Sequence, residues 1–184
     1  MIELPEAKPL PVILVGEDNP HSSDPRVALW DAPAGCAGAH LREILGVDRR
    51  TYRRLERVNL CSSTWMLREA RQRAAELLAS HGTTHLLVLL GRKVATAFGC
   101  SSWPLMRRGA IWMPRPGDRG LPRAAQVVLL PHPSGANLLW NDPRATQDAR
   151  WLLREARADL PVPEPGDTAP SALDMLRGYL GGGG

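Results

Sequence analysis

PVILVGEDNPH, residues 11–21, is the stretch from which the fold of this chain is read. Four aliphatic side chains follow one another without a polar break, from Val12 to Val15. That pattern describes a strand covered on both faces, which is the habit of parallel sheets. Gly16 then turns the chain off the strand into a polar loop. Three later segments repeat the theme: RVNLC at 57–61, HLLVLL at 85–90 and QVVLL at 126–130. Helical patterns lie between them. Residues 35–45 carry apolar side chains at helical spacing and stop at Gly46, residues 49–56 read as a short helix, and residues 92–98 as another. The clearest helix spans 63–80, with Met66, Leu67, Ala70, Ala74, Leu77 and Leu78 as one stripe and Arg68, Arg71, Arg73 and Glu76 opposite. Pro143 opens a last long helix through 158, with Trp151 and Leu152 inward. Residues 101–124, rich in Pro, Gly and Arg, read as an irregular excursion. Strands alternating with helices predict an α/β protein, a three-layer α/β/α sandwich around a central four-stranded, mostly parallel sheet.

A chain of 184 residues, 43% of them hydrophobic and 23% charged, fits one globular domain. Residues 1–160 are assigned to it, and 161–184 to an extended tail with a short terminal helix (172–180) and a glycine end. Net charge is +4, and since only Lys8 and Lys93 are lysines, almost all of the positive charge is arginine. Guanidinium forks suit phosphate, so the bias fits an anionic partner; a biased genomic base composition would leave the same mark. Cys36, Cys61 and Cys100 are too scattered for a disulfide framework or a thiolate metal site. The first eleven residues lack the basic, apolar character of a signal peptide, and no apolar run reaches the ~20 residues of a membrane span. The expectation is a cytoplasmic protein without membrane attachment, and a monomer.

In open parallel sheets, ligands bind beyond the carboxyl ends of the strands. The loops after Val15, Val58, Leu90 and Leu130 therefore hold the candidate residues. Glu17, Asp18 and Asn19 follow the first strand; they can hold a water or offset a cation, or simply close an Asx-turn. Asn59 ends the second strand, where a buried amide is either a structural bridge or a reader of a ligand's polar edge. After the fourth strand, His132 is braced by Pro131 and Pro133, and Ser134 and Gly135 leave backbone amides open to a phosphate.

GEDNPH after the first strand, VNLC after the second, LGRKVATAFG after the third and PHPSGAN after the fourth resemble the uracil-DNA glycosylase superfamily, in the right order from about Val12 to Arg154. GCAGAHL, with Gly35, Gly38 and Leu41, is similar to the branch that carries an iron–sulfur cluster; the four cysteines of that branch are missing apart from Cys61, so no cluster and no other cofactor or metal is expected. The resemblance implies cleavage of the N-glycosidic bond of a pyrimidine flipped out of DNA. It implies that Asp18, or else Glu17 or Asn19, positions the water and offsets the sugar cation. His132 would stabilise the departing base, Asn59 would read it, and Ser134 and Gly135 would hold flanking phosphates. Two positions depart from the pattern. The stacking phenylalanine is absent, leaving Trp30 as a substitute platform or a core aromatic. Ala136 stands where relatives place a bulky wedge, leaving Asn137, Leu138 or Trp140 to fill the vacated stack.

The expected activity is thus a monofunctional DNA glycosylase that leaves an abasic site. Its substrate would be uracil in repair, or a hypermodified cytosine such as glucosylated hydroxymethylcytosine in anti-phage defence. Monofunctional rests on the want of an amine nucleophile, Lys93 being read at the wrong strand end and Lys8 in the N-terminal arm. Trp103 and Trp112, interleaved with Arg107, Arg108, Arg115, Arg119 and Arg123, suit either a nucleic-acid groove or a loop pinned by its indoles. The competing class is a catalytically silent DNA-binding or phage-sensing module on the same fold. A nucleotide hydrolase is disfavoured by the lack of a Gly-rich phosphate loop with its lysine.

Overall fold

The computed structural model describes residues 8–19, 22, 24–113, 123–156 and 158. The tail at 161–184 and residues His21, Arg115 and Arg119 lie outside the described residues. In chain order the elements are β1 (Val12–Gly16), α1 (Ala37–Leu45), α2 (Arg49–Arg54), β2 (Glu56–Asn59), α3 (Leu67–His81), β3 (Leu86–Leu90), α4 (Arg92–Ala97), β4 (Arg107–Met113), β5 (Arg123–Leu130) and α5 (Pro143–Glu155), with short 3-10 turns at Pro25–Val27 and Leu138–Asn141.

The chain is α/β, and its sheet has the order β2-β1-β3-β5-β4. β1 pairs in parallel with β2 and β3, and β3 with β5, while β4 runs antiparallel to β5. The sheet therefore has five strands rather than the expected four. The extra strand lies inside the segment read as irregular, because its short apolar run, Ala110–Met113, is set between Arg107-Arg108-Gly109 and the Pro- and Gly-rich stretch 114–120, a context that reads as loop. As an edge strand it needs only one partner, and its arginines discourage further pairing. Gly109 lets the Trp103 ring lie across it: a Cβ there would stand 2.5 Å from the ring. Trp103 is thus half-buried on the sheet, with Arg107 5.4 Å over its ring, whereas Trp112 is exposed.

Alternate side chains of the inner strands feed two cores. Ile13, Val15, Leu87, Leu89, Val127 and Leu129 pack with α3 and α4; Val12, Leu14, Leu86, Val88, Leu90, Val128 and Leu130 pack with α1, α2 and α5. Each such side chain contributes about 1.5–3 kcal/mol by leaving water. The α3 stripe is shorter than its periodicity suggests. Ala70, Ala74 and Leu77 are buried, but Met66 and Leu67 are exposed where the helix starts beyond the end of the sheet. On α5 the buried seam is Ala145, Ala149 and Leu153, with Trp151 and Leu152 only half-buried beside it. α1 and α5 are joined by Arg150, whose guanidinium donates to the carbonyls of Ile44 (2.9 Å) and Glu43 (3.0 Å) at the end of α1. No helix among the described residues is long and apolar enough to cross a membrane.

Candidate functional site

Parallel register brings the ends of β1, β2, β3 and β5 to one side. Gly16 lies opposite Asn59, and Leu90 opposite Leu130. A cavity of about 650 Å³ opens there, lined by Glu17, Asp18, Asn19, Trp30, Asn59 and His132 among others. The structure thus collects every residue expected to handle the base. Gly91, with φ 96°, is the hub: a Cβ on it would lie 3.1 Å from the His132 Cβ and 3.2 Å from Glu17 Oε1.

The first loop divides its groups. Glu17 Oε2 accepts a 2.9 Å hydrogen bond from Lys93 Nζ. That bond, and then the charge of Glu17, raise the Lys93 pKa above the ordinary lysine value, with Asp18 adding to the effect. Lys93 is therefore not at the wrong strand end. It sits in the first turn of α4, which begins directly after β3, so parallel topology returns it to the mouth of the cavity. The reason given for a missing amine falls with that placement. Asp18, half-buried, makes no hydrogen bond or ion pair among the described residues and remains the available carboxylate. Asn19 braces the loop, its amide reaching the Val27 carbonyl at 3.5 Å.

Asn59 is held hard against β1. A Cβ on Gly16 would lie 2.4 Å from Asn59 Oδ1, and that oxygen is buried without a hydrogen-bond partner among the described residues. An unpaired buried carbonyl costs about 1–3 kcal/mol, which a donor arriving in the cavity would recover. Cys61, two residues on, is buried, and its sulfur accepts from the Met66 amide at 3.3 Å. Burial first, with the charges of Glu69 and Asp18, raises its thiol pKa, so it is a packed thiol and not a reactive one.

The histidine loop is fixed from both sides. His132 Nδ1 accepts the Ser134 amide at 3.2 Å, which leaves the ring proton on Nε2 as a donor. The His132 carbonyl accepts from Asn137 Nδ2 and from Trp140 Nε1, each at 3.0 Å. Asn137 and Trp140 are thereby committed inward, and Leu138 between them is 74% exposed. Ser134, Gly135 and Asn137 line a separate cavity of about 340 Å³ together with His40 and Asn141. The expected phosphate-holding residues are adjacent to the strand-end cavity without lining it.

Trp30 is the residue the sequence left most open. It lines the cavity at 36% exposure, so it is not a core aromatic. Its backbone is clamped: Cys36 Sγ donates to the Trp30 carbonyl at 3.1 Å, and Tyr52 Oη donates to the neighbouring Leu29 carbonyl at 2.8 Å. The Arg53 guanidinium lies 4.7 Å from the indole centroid, and that of Arg57 5.4 Å. Sequence reasoning missed Asp31 altogether. It is the one buried charged residue among those described, and Arg42, Arg49 and Arg53 all reach it. Only the density of arginine at 49–57 signalled it. No group of three or more His, Cys, Asp or Glu among the described residues could hold a metal ion.

Neither protein-family models nor curated proteins yield a match to this chain, so a functional reading stands on the geometry of the strand-end cavity.

Proposed function

We propose that this protein is a DNA glycosylase of the uracil-DNA glycosylase type, hydrolysing the N-glycosidic bond of a flipped modified pyrimidine. One observation carries the reading: a free carboxylate (Asp18), an unpartnered buried amide oxygen (Asn59) and a histidine fixed as an Nε2–H donor (His132) share one cavity beside an exposed indole (Trp30). Breaking this bond leaves positive charge on the sugar and negative charge on the base, so the catalyst needs an anion on one side and a donor on the other.

In this reading Asp18 orients a water and offsets the oxocarbenium charge. The water oxygen bonds to the anomeric carbon as the bond to the base nitrogen breaks, Asp18 takes the proton the water loses, and the base leaves with the bonding electron pair and is protonated from solvent after release. His132 Nε2–H donates to the oxyanion forming on the base. Asn59 Oδ1 accepts an N–H from the base edge, and Trp30 stacks on its face. Leu138 projects into the gap left in the duplex, since Asn137 and Trp140 are occupied in bracing His132. A monofunctional enzyme is supported on new ground: Lys93 is held as an ammonium by Glu17, which denies it the free pair an amine nucleophile needs. Repair of uracil and removal of a bulkier base, such as glucosylated hydroxymethylcytosine, are both compatible with the roomy cavity.

The test is a release assay on oligonucleotides carrying uracil, hydroxymethyluracil, hydroxymethylcytosine or glucosylated hydroxymethylcytosine. Freed base is read by mass spectrometry, with Asp18→Asn and His132→Ala as blanks. Release from one or more substrates, abolished in both blanks, is the expected result. DNA binding without release would make the chain a recognition module, and neither binding nor release would refute the reading.

A further inference from the structure

Beside the cavity, two arginines are arranged as though for a ligand of opposite charge. Asp31 has a side chain with 0% exposure, and its carboxylate accepts Arg49 Nε at 3.0 Å on one oxygen and Arg53 Nε at 3.2 Å on the other. Arg42 approaches at 3.8 Å but also lies 3.6 Å from Glu43, so its charge has a second partner. Arg49 and Arg53 therefore share a single carboxylate and retain surplus positive charge. They remain 57% and 42% exposed. Both are gripped by Nε, and no other hydrogen bond or ion pair among the described residues engages them. Their terminal Nη forks are thus oriented but unspent. Orientation of this kind removes side-chain entropy that binding would otherwise cost.

Position gives the forks a partner. Arg53 stands 4.7 Å from the centroid of Trp30, and Trp30 lines the base cavity. A nucleotide whose base lay in the cavity would carry its own or its neighbour's phosphate within a few ångströms of that rim.

We propose that Arg49 and Arg53, anchored on the buried Asp31, form a phosphate clamp that grips the DNA backbone next to the flipped nucleotide. The inference rests on reading the cavity as a base pocket. Each guanidinium contributes a two-pronged donor to a backbone phosphate, a geometry that a lysine cannot reproduce. The clamp is carried by α2 and the histidine loop follows β5, so the two are separate elements and the clamp adds a second grip to that of Ser134 and Gly135.

The experiment is a fluorescence anisotropy titration of the full chain with a labelled duplex containing a tetrahydrofuran abasic analogue, over a range of KCl concentrations. The slope of log affinity against log salt falls by about 0.9 for each phosphate that the protein no longer neutralises. Arg49→Gln/Arg53→Gln is expected to lower the slope by about 1.8 and to weaken low-salt binding more than tenfold. Lys8→Gln/Arg154→Gln removes the same charge near the amino-terminal end of β1, where Leu10 bridges Ala158, away from the cavity, and is expected to leave the slope unchanged. Because the pair also anchors Asp31, Arg49→Lys/Arg53→Lys is measured alongside. It keeps both charges, and the clamp predicts a retained slope with affinity several-fold lower. An unchanged slope in the glutamine variant, an equal fall in the far-end control, or full affinity in the lysine variant would each overturn the clamp. Base release by the wild type, found together with any of these variant results, leaves the glycosylase reading standing, whereas a wild type that binds no DNA ends both.

Discussion

Gly38→Ala is the most direct test of how the indole of Trp30 is placed. Gly38 is the second residue of α1, and its missing side chain makes room for the loop carrying Trp30. A Cβ at this position would stand 2.1 Å from the Trp30 carbonyl oxygen and 2.3 Å from that of Leu29. Both are backbone atoms, so no rotamer change can relieve the contact, and the loop must retreat by roughly 1 Å. The retreat pulls on the bond from Cys36 Sγ to the Trp30 carbonyl and on that from Tyr52 Oη to Leu29. Overpacking of this sort costs about 1–3 kcal/mol. For a domain of this size that is a fall in melting temperature of about 3–10 °C. A displacement of ~1 Å at a substrate-positioning group is worth about 100-fold in rate. The assay pairs a thermal melt with single-turnover base release. Gly35→Ala is the internal comparison: nothing lies within 4 Å of its Cβ, but φ is +82°, so it should lose about 1 kcal/mol and little rate. A Gly38→Ala protein with wild-type melting and wild-type release would refute the claim that this close approach sets the platform.

Gly16→Ala should act on recognition, because the new methyl would meet Asn59 Oδ1 at 2.4 Å and turn the amide away; KM for the base-bearing DNA should rise, and crowding of Leu29 at 3.1 Å should lower the melting temperature by about 3–10 °C. Trp140→Phe removes the 3.0 Å bond to the His132 carbonyl and leaves Asn137 as its one side-chain donor among the described residues, a loss of about 0.5–1.5 kcal/mol by denaturant titration together with slower release. Leu138→Ala, at a 74% exposed site, should leave stability within about 0.5 kcal/mol while weakening binding to duplex containing an abasic analogue. Lys93 has a folded-state pKa raised by Glu17, so its contribution is complete below the unfolded value of about 10.4 and disappears as pH rises through the folded one. Lys93→Met should therefore flatten the fall in stability above about pH 10, and an unaltered alkaline limb would show the pair to be idle.

The inner strands were legible because aliphatic runs such as Val12 to Val15 and Leu86 to Leu90 have no other explanation in a chain of this polarity. Parallel order then delivers the loops after β1, β2 and β5 to one place, and for that reason Asp18, Asn59 and His132 could be grouped from sequence. What stayed hidden depends on a single partner or on distance along the chain. β4 is recognisable only beside β5, since an edge strand need not be apolar on both faces. Lys93 is 76 residues from Glu17, and charge along the sequence carries no sign of the pair. Asp31 reads as an ordinary loop aspartate. Its burial follows from arginines at 42, 49 and 53 that close over it, and although burial alone would raise its pKa, the bonds and charges of Arg53 and Arg49 prevail and hold it below the usual carboxylate range.

The Glu17–Lys93 pair also accounts for the otherwise awkward presence of two adjacent carboxylates at one strand end. Side by side and unpaired, Glu17 and Asp18 would repel each other in a partly enclosed cavity, and the repulsion would grow as a ligand displaced water. An ammonium 2.9 Å from one of them, and close enough to feel the charge of the other, offsets that repulsion without touching Asp18. The net result near the mouth is one effective negative charge, carried by the residue that has no other bond to make. Opposite it, the Ser134 amide at His132 Nδ1 keeps the imidazole proton on Nε2. A cavity with one uncommitted anion and one oriented donor, separated by the backbone of Gly91, is polarised before any substrate enters. Charge separating across a breaking bond would find both poles already in place, with little reorganisation left to perform.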